Sequence, residues 1–308
     1  MKRMRFYKSL CMAVMVSITA AFFLAACTPQ KNETQKEIVK PSFTKETYPK
    51  VDGSTATIPL SENIAAELLS LSKEEAGSFI KHNTTHNAYV NLIDGKADII
   101  FVTEPSEQEY SLAKEKGVEL EVVPIVKEAF VFLVNKSNPV DQLTVKQIQD
   151  IYQGNIKNWK AAGGPDKEII AYQRPKNSGS QTIMENQVMK GLKMSDAPME
   201  LKPSEMEGLI EAVASYDNSD KAIGYSVYYY ANSMYNKETI KFVKVNGVQP
   251  DNKTISGGTY PFTSAYYAVL NKKSPADSNS RKLLQWILSD QGQKLAETSG
   301  YVPLKVSQ

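Results

Sequence analysis

Residues 174–182 read RPKNSGSQT and follow an apolar, β-prone run at 168–172. Apolar residues then recur at helical spacing, so the sequence predicts a strand, a loop and the first turn of a helix. A helix N-terminus offers unpaired backbone N–H groups and the positive end of the helix dipole, and Gly179 allows the backbone to approach a ligand closely. Because Arg174 and the loop hydroxyls can donate hydrogen bonds to a tetrahedral oxyanion, we predict an anion site here. The same pattern also fits a capped helix with a surface arginine.

Hydroxyl-rich loops precede two further predicted helices. Residues 51–60 read VDGSTATIPL, in which a glycine and three hydroxyl residues come before a proline that suits a helix start. Thr84 and Thr85 stand before a second helical pattern, which ends at an Asp-Gly pair. Residues 97–102 predict a buried strand, and Glu104 follows at its C-terminal end, where ligands bind in open α/β sheets. We therefore expect Glu104 to face a pocket; an exposed loop carboxylate is the alternative interpretation.

The rest of the chain alternates predicted strands with predicted helices. Residues 122–126 and 129–134 predict two apolar strands separated by Lys127 and Glu128, and residues 283–295 predict one amphipathic helix near the C-terminus. Such alternation indicates an α/β fold built on parallel sheets.

The N-terminus has the features of a lipoprotein signal peptide. Four basic residues precede an apolar segment at 12–24, which is too short for a membrane span. The segment ends in Leu-Ala-Ala-Cys at 24–27, which is similar to a bacterial lipobox. We therefore expect residues 1–26 to be removed, Cys27 to carry a palmitate-type lipid anchor, and the polar residues 27–47 to form a flexible tether. A simple secretory peptide cleaved nearby is the alternative.

Composition excludes some classes of partner. The full chain carries 36 Lys and Arg residues against 34 Asp and Glu residues, and removal of residues 1–26 takes away four basic residues and no acidic ones. The mature chain of 282 residues would thus have a formal charge of −2, without the polybasic block that nucleic-acid binding favours. Because Cys11 lies in the predicted signal peptide, the mature protein is expected to have neither a disulfide nor a thiolate metal site.

Six segments spread over about residues 51–304 match one known family. They are VDGSTATIPL, ADIIFVTEP, NPVDQLTVKQIQDIYQGNIKNWKAAGG, the spacing Arg174-x-x-x-Ser178-Gly179-Ser180, GGTYPFTSAYYAVL and LLQWILSDQGQKLAETSGYVPL. The chain resembles the phosphate-binding lipoproteins of Pst-type phosphate ABC importers, within the type II periplasmic-binding-protein superfamily. The resemblance implies an α/β fold of two lobes, joined by two crossover strands, with a dehydrated phosphate held in the cleft between them.

The resemblance also implies a domain organisation. We expect residues 48–128 and 255–308 to form the first lobe and residues 129–254 to form the second. We expect no cofactor and no metal, because the sequence has no Asp-rich or His-rich metal constellation. The protein is expected to act as a monomer.

Site residues can be carried over where the motifs match. By resemblance, Arg174 corresponds to the family's phosphate arginine, and Ser178, Gly179 and Ser180 correspond to its Ser-Gly-Thr cradle, with Ser180 in place of the more usual threonine. This segment would supply the second lobe's share of the phosphate contacts.

The first lobe offers alternatives at each position. The candidates in the first loop are Ser54, Thr55 with the backbone of Ala56, or Thr57, and those in the second loop are Thr85 or Thr84. Glu104 lies near the family's aspartate, whereas a gapless alignment puts Thr103 there. A carboxylate at this position would accept the proton of hydrogen phosphate and would disfavour sulfate, which brings no such proton.

The sequence therefore predicts a lipid-anchored solute-binding protein on the extracytoplasmic face of the cell membrane, which hands inorganic phosphate to the permease of an ABC importer. Another oxyanion, such as sulfate, molybdate or tungstate, is the alternative within this class. A phosphatase or esterase with Ser178 or Ser180 as nucleophile would need a neighbouring base, and the only histidines, His82 and His86, lie about ninety residues earlier. A sensory or surface lipoprotein without a transport role is the remaining alternative.

Overall fold

The structure is a computed structural model that describes residues 40–218 and 220–304. The predicted signal peptide, residues 1–26, and the predicted lipidation residue, Cys27, lie outside the described residues. Within the described ranges, no helix is both long enough and apolar enough to cross a membrane.

The end of the predicted tether at 27–47 packs against the fold. Phe43 is buried, and its ring makes an edge-to-face contact with the buried ring of Tyr48 at 5.6 Å. Tyr48 makes a second edge-to-face contact with Phe79. Since buried aromatic pairs of this kind stabilise a fold, the described end of the tether is attached to the folded body, contrary to the expectation of a flexible segment.

One large mixed sheet forms the centre of the fold. The strands in the described residues are β1 (Val51–Gly53), β2 (Ile99–Val102), β3 (Leu120–Asn135), β4 (Gln142–Leu143), β5 (Ile170–Ala171), β6 (Ala222–Val227), β7 (Ile240–Phe242), β8 (Lys244–Val245) and β9 (Thr263–Asn271). The order in the large sheet is β1-β2-β9-β3-β6-β5, β7 also pairs with β3, and β4 pairs with β8 separately. The expectation of parallel sheets holds for β1 with β2 and for β5 with β6, whereas β9 runs antiparallel to both of its neighbours.

Helices surround this sheet. The α-helices in the described residues are α1 (Ile58–Leu69), α2 (Lys73–Phe79), α3 (Thr84–Ile93), α4 (Glu107–Glu115), α5 (Val145–Tyr152), α6 (Gly179–Ile183), α7 (Met206–Ala214), α8 (Asn252–Ser256), α9 (Asn279–Ile287) and α10 (Asp290–Thr298). Local sequence explains several helix starts: Pro59 lies in the first turn of α1, and Ser106 and Glu109 form a reciprocal capping box at the start of α4.

The predicted single helix at 283–295 is wrong, because the chain forms two helices there, α9 and α10. The hydroxyl of Ser289 donates to the carbonyl oxygen of Trp286 at 2.6 Å, close to the end of α9. The same hydroxyl accepts from the backbone N–H of Gly292 at 3.3 Å and so caps the start of α10. One serine thus ends one helix and begins the next.

Strand β3 connects the two halves of the large sheet. Its residues 120–129 pair with β9, and its residues 130–134 pair with β6. The prediction of two strands here is wrong, because the chain stays extended across Lys127 and Glu128 while it changes pairing partner. The first half of the sheet is β1, β2 and β9 with the start of β3, and the second half is the end of β3 with β6, β5 and β7.

Glu128 is buried at this change of partner. Its Oε1 accepts from the backbone N–H of Ala129 at 2.8 Å and from that of Tyr229 at 3.2 Å. Burial raises the pKa of Glu128 to about 7, although the hydrogen bonds from these backbone groups act in the opposite direction. The carboxyl group thus ties β3 to the segment that follows β6.

Buried aromatic side chains pack the second half of the sheet. The ring of Tyr225 lies 5.7 Å from that of Tyr152 and 6.4 Å from that of Phe132, measured between centroids. All three side chains are fully buried, and such pairs stabilise a core beyond the area that they bury. The Tyr225 hydroxyl is held in place by this packing and accepts from the backbone N–H of Arg174 at 2.8 Å. The core therefore fixes the start of the 174–182 loop.

Candidate functional site

A cavity of about 240 Å³ opens where several strands end. Its lining comes from residues 54–56, 84–86, 103, 174, 176–180, 204–206, 227, 230 and 266. The first of these segments directly follows β1, the third follows β2, and the loop that begins at Arg174 follows β5. Ligands of α/β proteins bind at this position, outside the carboxyl ends of parallel strands.

The guanidinium of Arg174 lies in this cavity and is held by the backbone of a distant segment. Nε donates to the carbonyl oxygen of Pro203 at 3.0 Å, and Nη2 donates to that of Ser204 at 2.8 Å. Nη1 lies 3.5 Å from the hydroxyl oxygen of Ser180. With two of its nitrogens fixed to carbonyl groups, the side chain has one orientation, and its remaining donors are directed by the fold.

The charge of Arg174 is buried without a carboxylate in contact. The side chain is 7 % exposed, and burial lowers the pKa of the guanidinium, against the opposing influence of Tyr225, Glu205 and Tyr230. The ion pairs formed among the described residues do not include Arg174. Because a buried charge is stabilised by a counterion, this arrangement favours an anionic ligand.

The loop after Arg174 brings the start of α6 to the cavity. The Ser178 hydroxyl accepts from the backbone N–H of Gln181 and caps the helix. Gly179 and Ser180 are buried beside it. A Cβ atom built on Gly179 would lie 2.5 Å from Thr103 Oγ1 and 2.8 Å from Thr85 Oγ1. Only glycine fits here, because this backbone is in close contact with side chains at the end of β2 and the start of α3.

Thr103 takes the position that the sequence analysis assigned to Glu104. The structure places Thr103 in the cavity lining, whereas Glu104 does not line it. Thr103 is buried, and its Oγ1 has no hydrogen-bond partner among the described residues. A buried hydroxyl without a partner costs about 1–3 kcal/mol, and a ligand oxygen in the cavity would remove that cost. The carboxylate expected from Glu104 is therefore replaced by a neutral hydroxyl.

The first hydroxyl loop contributes in part. Ser54, Thr55 and Ala56 line the cavity. Thr57, the alternative candidate, does not, because its side chain is fully buried and its hydroxyl donates to the carbonyl oxygen of Phe101 at 2.7 Å. Thr57 thus holds the loop against β2 instead of facing a ligand.

Both candidates of the second loop, Thr84 and Thr85, line the cavity. Thr84 has a left-handed backbone with φ of 69°, a conformation that is rare for a β-branched residue. Thr85 is buried and begins the first turn of α3 with it. The first turn of α3 therefore contributes both threonines to the cavity lining.

The segment 204–206 also lines the cavity, although no motif in the sequence singles it out. Its signal was weak but present: Ser204 and Glu205 stand directly before the apolar helix α7, as Thr57 stands before α1 and Ser178 before α6. His86 was considered only as a catalytic base, and it lines the cavity as well. Among the described residues, no cluster of His, Cys, Asp and Glu side chains could hold a metal ion.

Fold and site together define a class of protein. The chain has a mixed α/β fold whose two halves share β3, and an anion-favouring cavity lies at the strand ends. These are the features of a solute-binding protein of the two-lobed type. A sequence profile described as a PBP superfamily domain matches residues 41–291. The chain belongs to this family.

Solved structures confirm the two-lobed type II fold that the sequence predicted. A phosphate ABC transporter substrate-binding protein with bound phosphate from Clostridium perfringens is 25 % identical, with a TM-score of 0.61, and the match covers 86 % of this chain and 100 % of that one. An ABC-type phosphate transport receptor from Vibrio cholerae has the same fold, with a TM-score of 0.60 at 20 % identity over 82 % of this chain and 98 % of that one.

Curated relatives agree with the structural neighbours. The phosphate-binding protein PstS of Staphylococcus saprophyticus is 28 % identical over 268 residues, which are 83 % of this chain and 80 % of the relative. The PstS protein of Staphylococcus epidermidis is 27 % identical over 263 residues, covering 82 % of this chain and 78 % of the relative.

Proposed function

We propose that this protein is an extracytoplasmic solute-binding protein that captures inorganic phosphate between its two lobes and delivers it to the permease of an ABC importer. The observation that carries the proposal is the Arg174 guanidinium, buried in the cavity and bonded to neutral carbonyl oxygens. The Staphylococcus relatives are named phosphate-binding proteins, and the Clostridium structure has bound phosphate, which supports phosphate as the anion.

The proposed cradle has a cationic side and a hydroxyl side. Its members are Ser54, Thr55, Ala56, Thr84, Thr85, Thr103, Arg174, Ser178, Gly179 and Ser180. Backbone N–H groups at the starts of α3 and α6 add donors with positive dipole ends. Each of these groups can donate to a phosphate oxygen or can let the backbone do so, and the hydroxyl oxygens can also accept the hydrogen of a singly protonated phosphate.

The experiment that tests the proposal is calorimetric titration of the purified protein with phosphate, sulfate, molybdate and tungstate under one buffer and ionic strength. We expect phosphate to bind most tightly. If another oxyanion binds more tightly, it is the ligand instead, and if none binds, the proposal fails. Incubation with a chromogenic phosphate ester tests the enzyme alternative, and we expect no turnover.

Gly179→Ala is expected to weaken phosphate binding about 5- to 150-fold, because overpacking costs about 1–3 kcal/mol and each 1.4 kcal/mol is about tenfold. The added methyl group would overlap the hydroxyls of Thr103 and Thr85 and hold the two sides of the cavity apart. Calorimetry measures the change. Gly77→Ala is the matched control, because a Cβ at Gly77 meets only the flexible Glu62 side chain at 3.3 Å. Equal affinities of the two variants would contradict the close contact at Gly179.

We also propose the cellular arrangement that the sequence predicted. Residues 48–128 and 255–308 form one lobe and residues 129–254 the other, the protein acts as a monomer, and Cys27 carries a lipid that holds it at the outer face of the membrane. The small residues before Cys27 and the apolar segment before them support the anchor.

Cys27→Ala is expected to release a folded, phosphate-binding protein from the membrane, because Cys27 lies outside the described fold and is separated from it by polar residues. Fractionation of cells that express the variant, followed by a salt wash, measures this. A variant that stays with the membrane after the wash would refute the lipid anchor.

A further inference from the structure

A histidine side chain lines the cavity but has no part in the proposed cradle. His86 lies in the first turn of α3, directly after Thr85, and lines the cavity. Its side chain is 34 % exposed, so the ring is partly open to the cavity and partly packed. The other histidine, His82, does not line the cavity, and its Nδ1 contacts the carbonyl oxygen of Ser54 at 2.9 Å.

A buried carboxylate orients the His86 ring. Nδ1 of His86 lies 3.0 Å from Oε1 of Glu109, whose side chain is 1 % exposed. The other oxygen of Glu109 accepts from the backbone N–H of Ser106 at 2.7 Å, within the capping box of α4. A carboxylate oxygen accepts hydrogen bonds, so Nδ1 of His86 is the atom that carries a hydrogen towards Glu109. Nε2 is left for a ligand in the cavity.

The capping box at the start of α4 holds Glu109 in this position. Its carboxylate caps α4 and its backbone N–H is bonded to the Ser106 hydroxyl at 3.4 Å, so the residue is fixed by local structure on both sides. The short contact between this buried carboxylate and Nδ1 fixes the orientation of the imidazole ring. His86 and Glu109 are therefore a prepared pair and not an incidental surface contact.

Other charged groups surround the pair. The elements packed against α3 carry Asp52 of β1, Glu104 after β2, Glu107, Glu109 and Tyr110 of α4, and Tyr267 of β9. The cavity lining adds Arg174, Lys176 and Glu205. The Asp52 carboxylate is occupied by the amide nitrogens of Asn83 and Asn91. Among these groups, Glu109 contacts His86, with 3.0 Å between Oε1 and Nδ1.

We propose that His86 is a further anion-binding residue of this cavity, and that the pair it forms with Glu109 makes the cavity bind phosphate more tightly when the ring is protonated. The inference rests on the proposed function. In the protonated ring, Nε2 offers an N–H donor and the ring adds a positive charge to the cavity that Arg174 also lines. In the neutral ring, Nδ1 keeps its hydrogen for Glu109, so Nε2 is an unprotonated acceptor that disfavours a phosphate oxygen.

The test compares phosphate affinity as a function of pH in the wild-type protein and in His86→Gln. Phosphate itself changes charge near neutral pH, and this contribution is the same for both proteins, so the ratio of their affinities isolates the ring. We expect the wild type to gain about tenfold over the variant between pH 8 and pH 5.5, the size of one charge-assisted hydrogen bond. Superimposable profiles would overturn the inference and leave phosphate binding intact, whereas absence of binding in the wild type would overturn the proposed function and this inference with it.

Two further measurements guard against a structural effect of the substitution. NMR titration of the His86 ring in the wild-type protein needs no variant, and saturating phosphate is expected to move its titration to higher pH; no movement would overturn the inference. Glu109→Gln keeps the shape but removes the negative charge, and it is expected to reduce the pH dependence of affinity relative to the wild type. Unchanged pH dependence in Glu109→Gln would contradict the role of the pair.

Discussion

Arg174→Ala is expected to weaken phosphate binding about 30- to 4,000-fold, because truncation of one partner of a buried charge pair costs about 2–5 kcal/mol. The guanidinium is 7 % exposed and is fixed by the carbonyl oxygens of Pro203 and Ser204. In the complex, the anion would supply the counterion that the fold does not provide. Calorimetric titration with phosphate measures the loss.

Lys176→Ala is the matched control for this prediction. Lys176 lines the same cavity and carries the same charge, but it is exposed. An exposed ion pair contributes about 0–1 kcal/mol, so the lysine variant should lose less than about fivefold. Comparable losses in the two variants would mean that binding depends on the overall positive charge of the cavity and not on the buried guanidinium. Circular dichroism of Arg174→Ala checks that the overall fold is retained.

Glu128→Gln is expected to stabilise the protein above neutral pH and to leave it unchanged in acid. Burial raises the pKa of Glu128 from 4.5 to about 7. The pKa of Glu128 is higher in the folded than in the unfolded protein. The stability that goes with the protonated carboxyl group is therefore fully present below about pH 4.5 and is lost as the pH rises through about 7. A shift of this size corresponds to about 3 kcal/mol at alkaline pH, and glutamine, which stays neutral and can still accept the two backbone hydrogen bonds, removes that loss.

Urea unfolding at several pH values between 4.5 and 8.5 measures this effect as the difference in free energy of unfolding between variant and wild type. Glu119→Gln is the control, because Glu119 is an exposed partner of Lys272 and its charge is not buried. A difference between Glu128→Gln and the wild type that does not change with pH would contradict the assignment of the titration to Glu128.

Local sequence predicted much of the fold, and its errors have a common cause. The hydroxyl loops and helix starts were predictable because caps and first turns depend on neighbouring residues. The charged pair Lys127-Glu128 favours a break between two strands, but distant partners keep β3 extended there. The residues of β3 up to 129 pair with β9, and those from 130 pair with β6. Long-range pairing therefore outweighs the local preference for a break, and the local sequence pattern does not show that β3 changes its pairing partner from β9 to β6.

The candidate site was predicted unevenly for a similar reason. The 174–182 loop and the two threonines in the first turn of α3 were predicted because each is a local pattern. The choice between Thr103 and Glu104 depends on which face of the sheet each side chain takes at the end of β2, and a shift of one residue reverses that face. His86 directly follows Thr85 but has no loop or capping signal of its own, and residues 204–206 show only one hydroxyl residue before a helix, so their place in the cavity depends on the tertiary fold.

The position of β9 determines when the sheet can be completed during synthesis. β9 lies between β2 and β3 in the sheet, although its residues 263–271 are made long after both of them. A nascent chain that ends before β9 has the edges of β2 and β3 unpaired, and unpaired edges are sites of aggregation. The central pairings of the molecule therefore form only after most of the polypeptide has left the ribosome, and such distant pairings are also the slow ones to form.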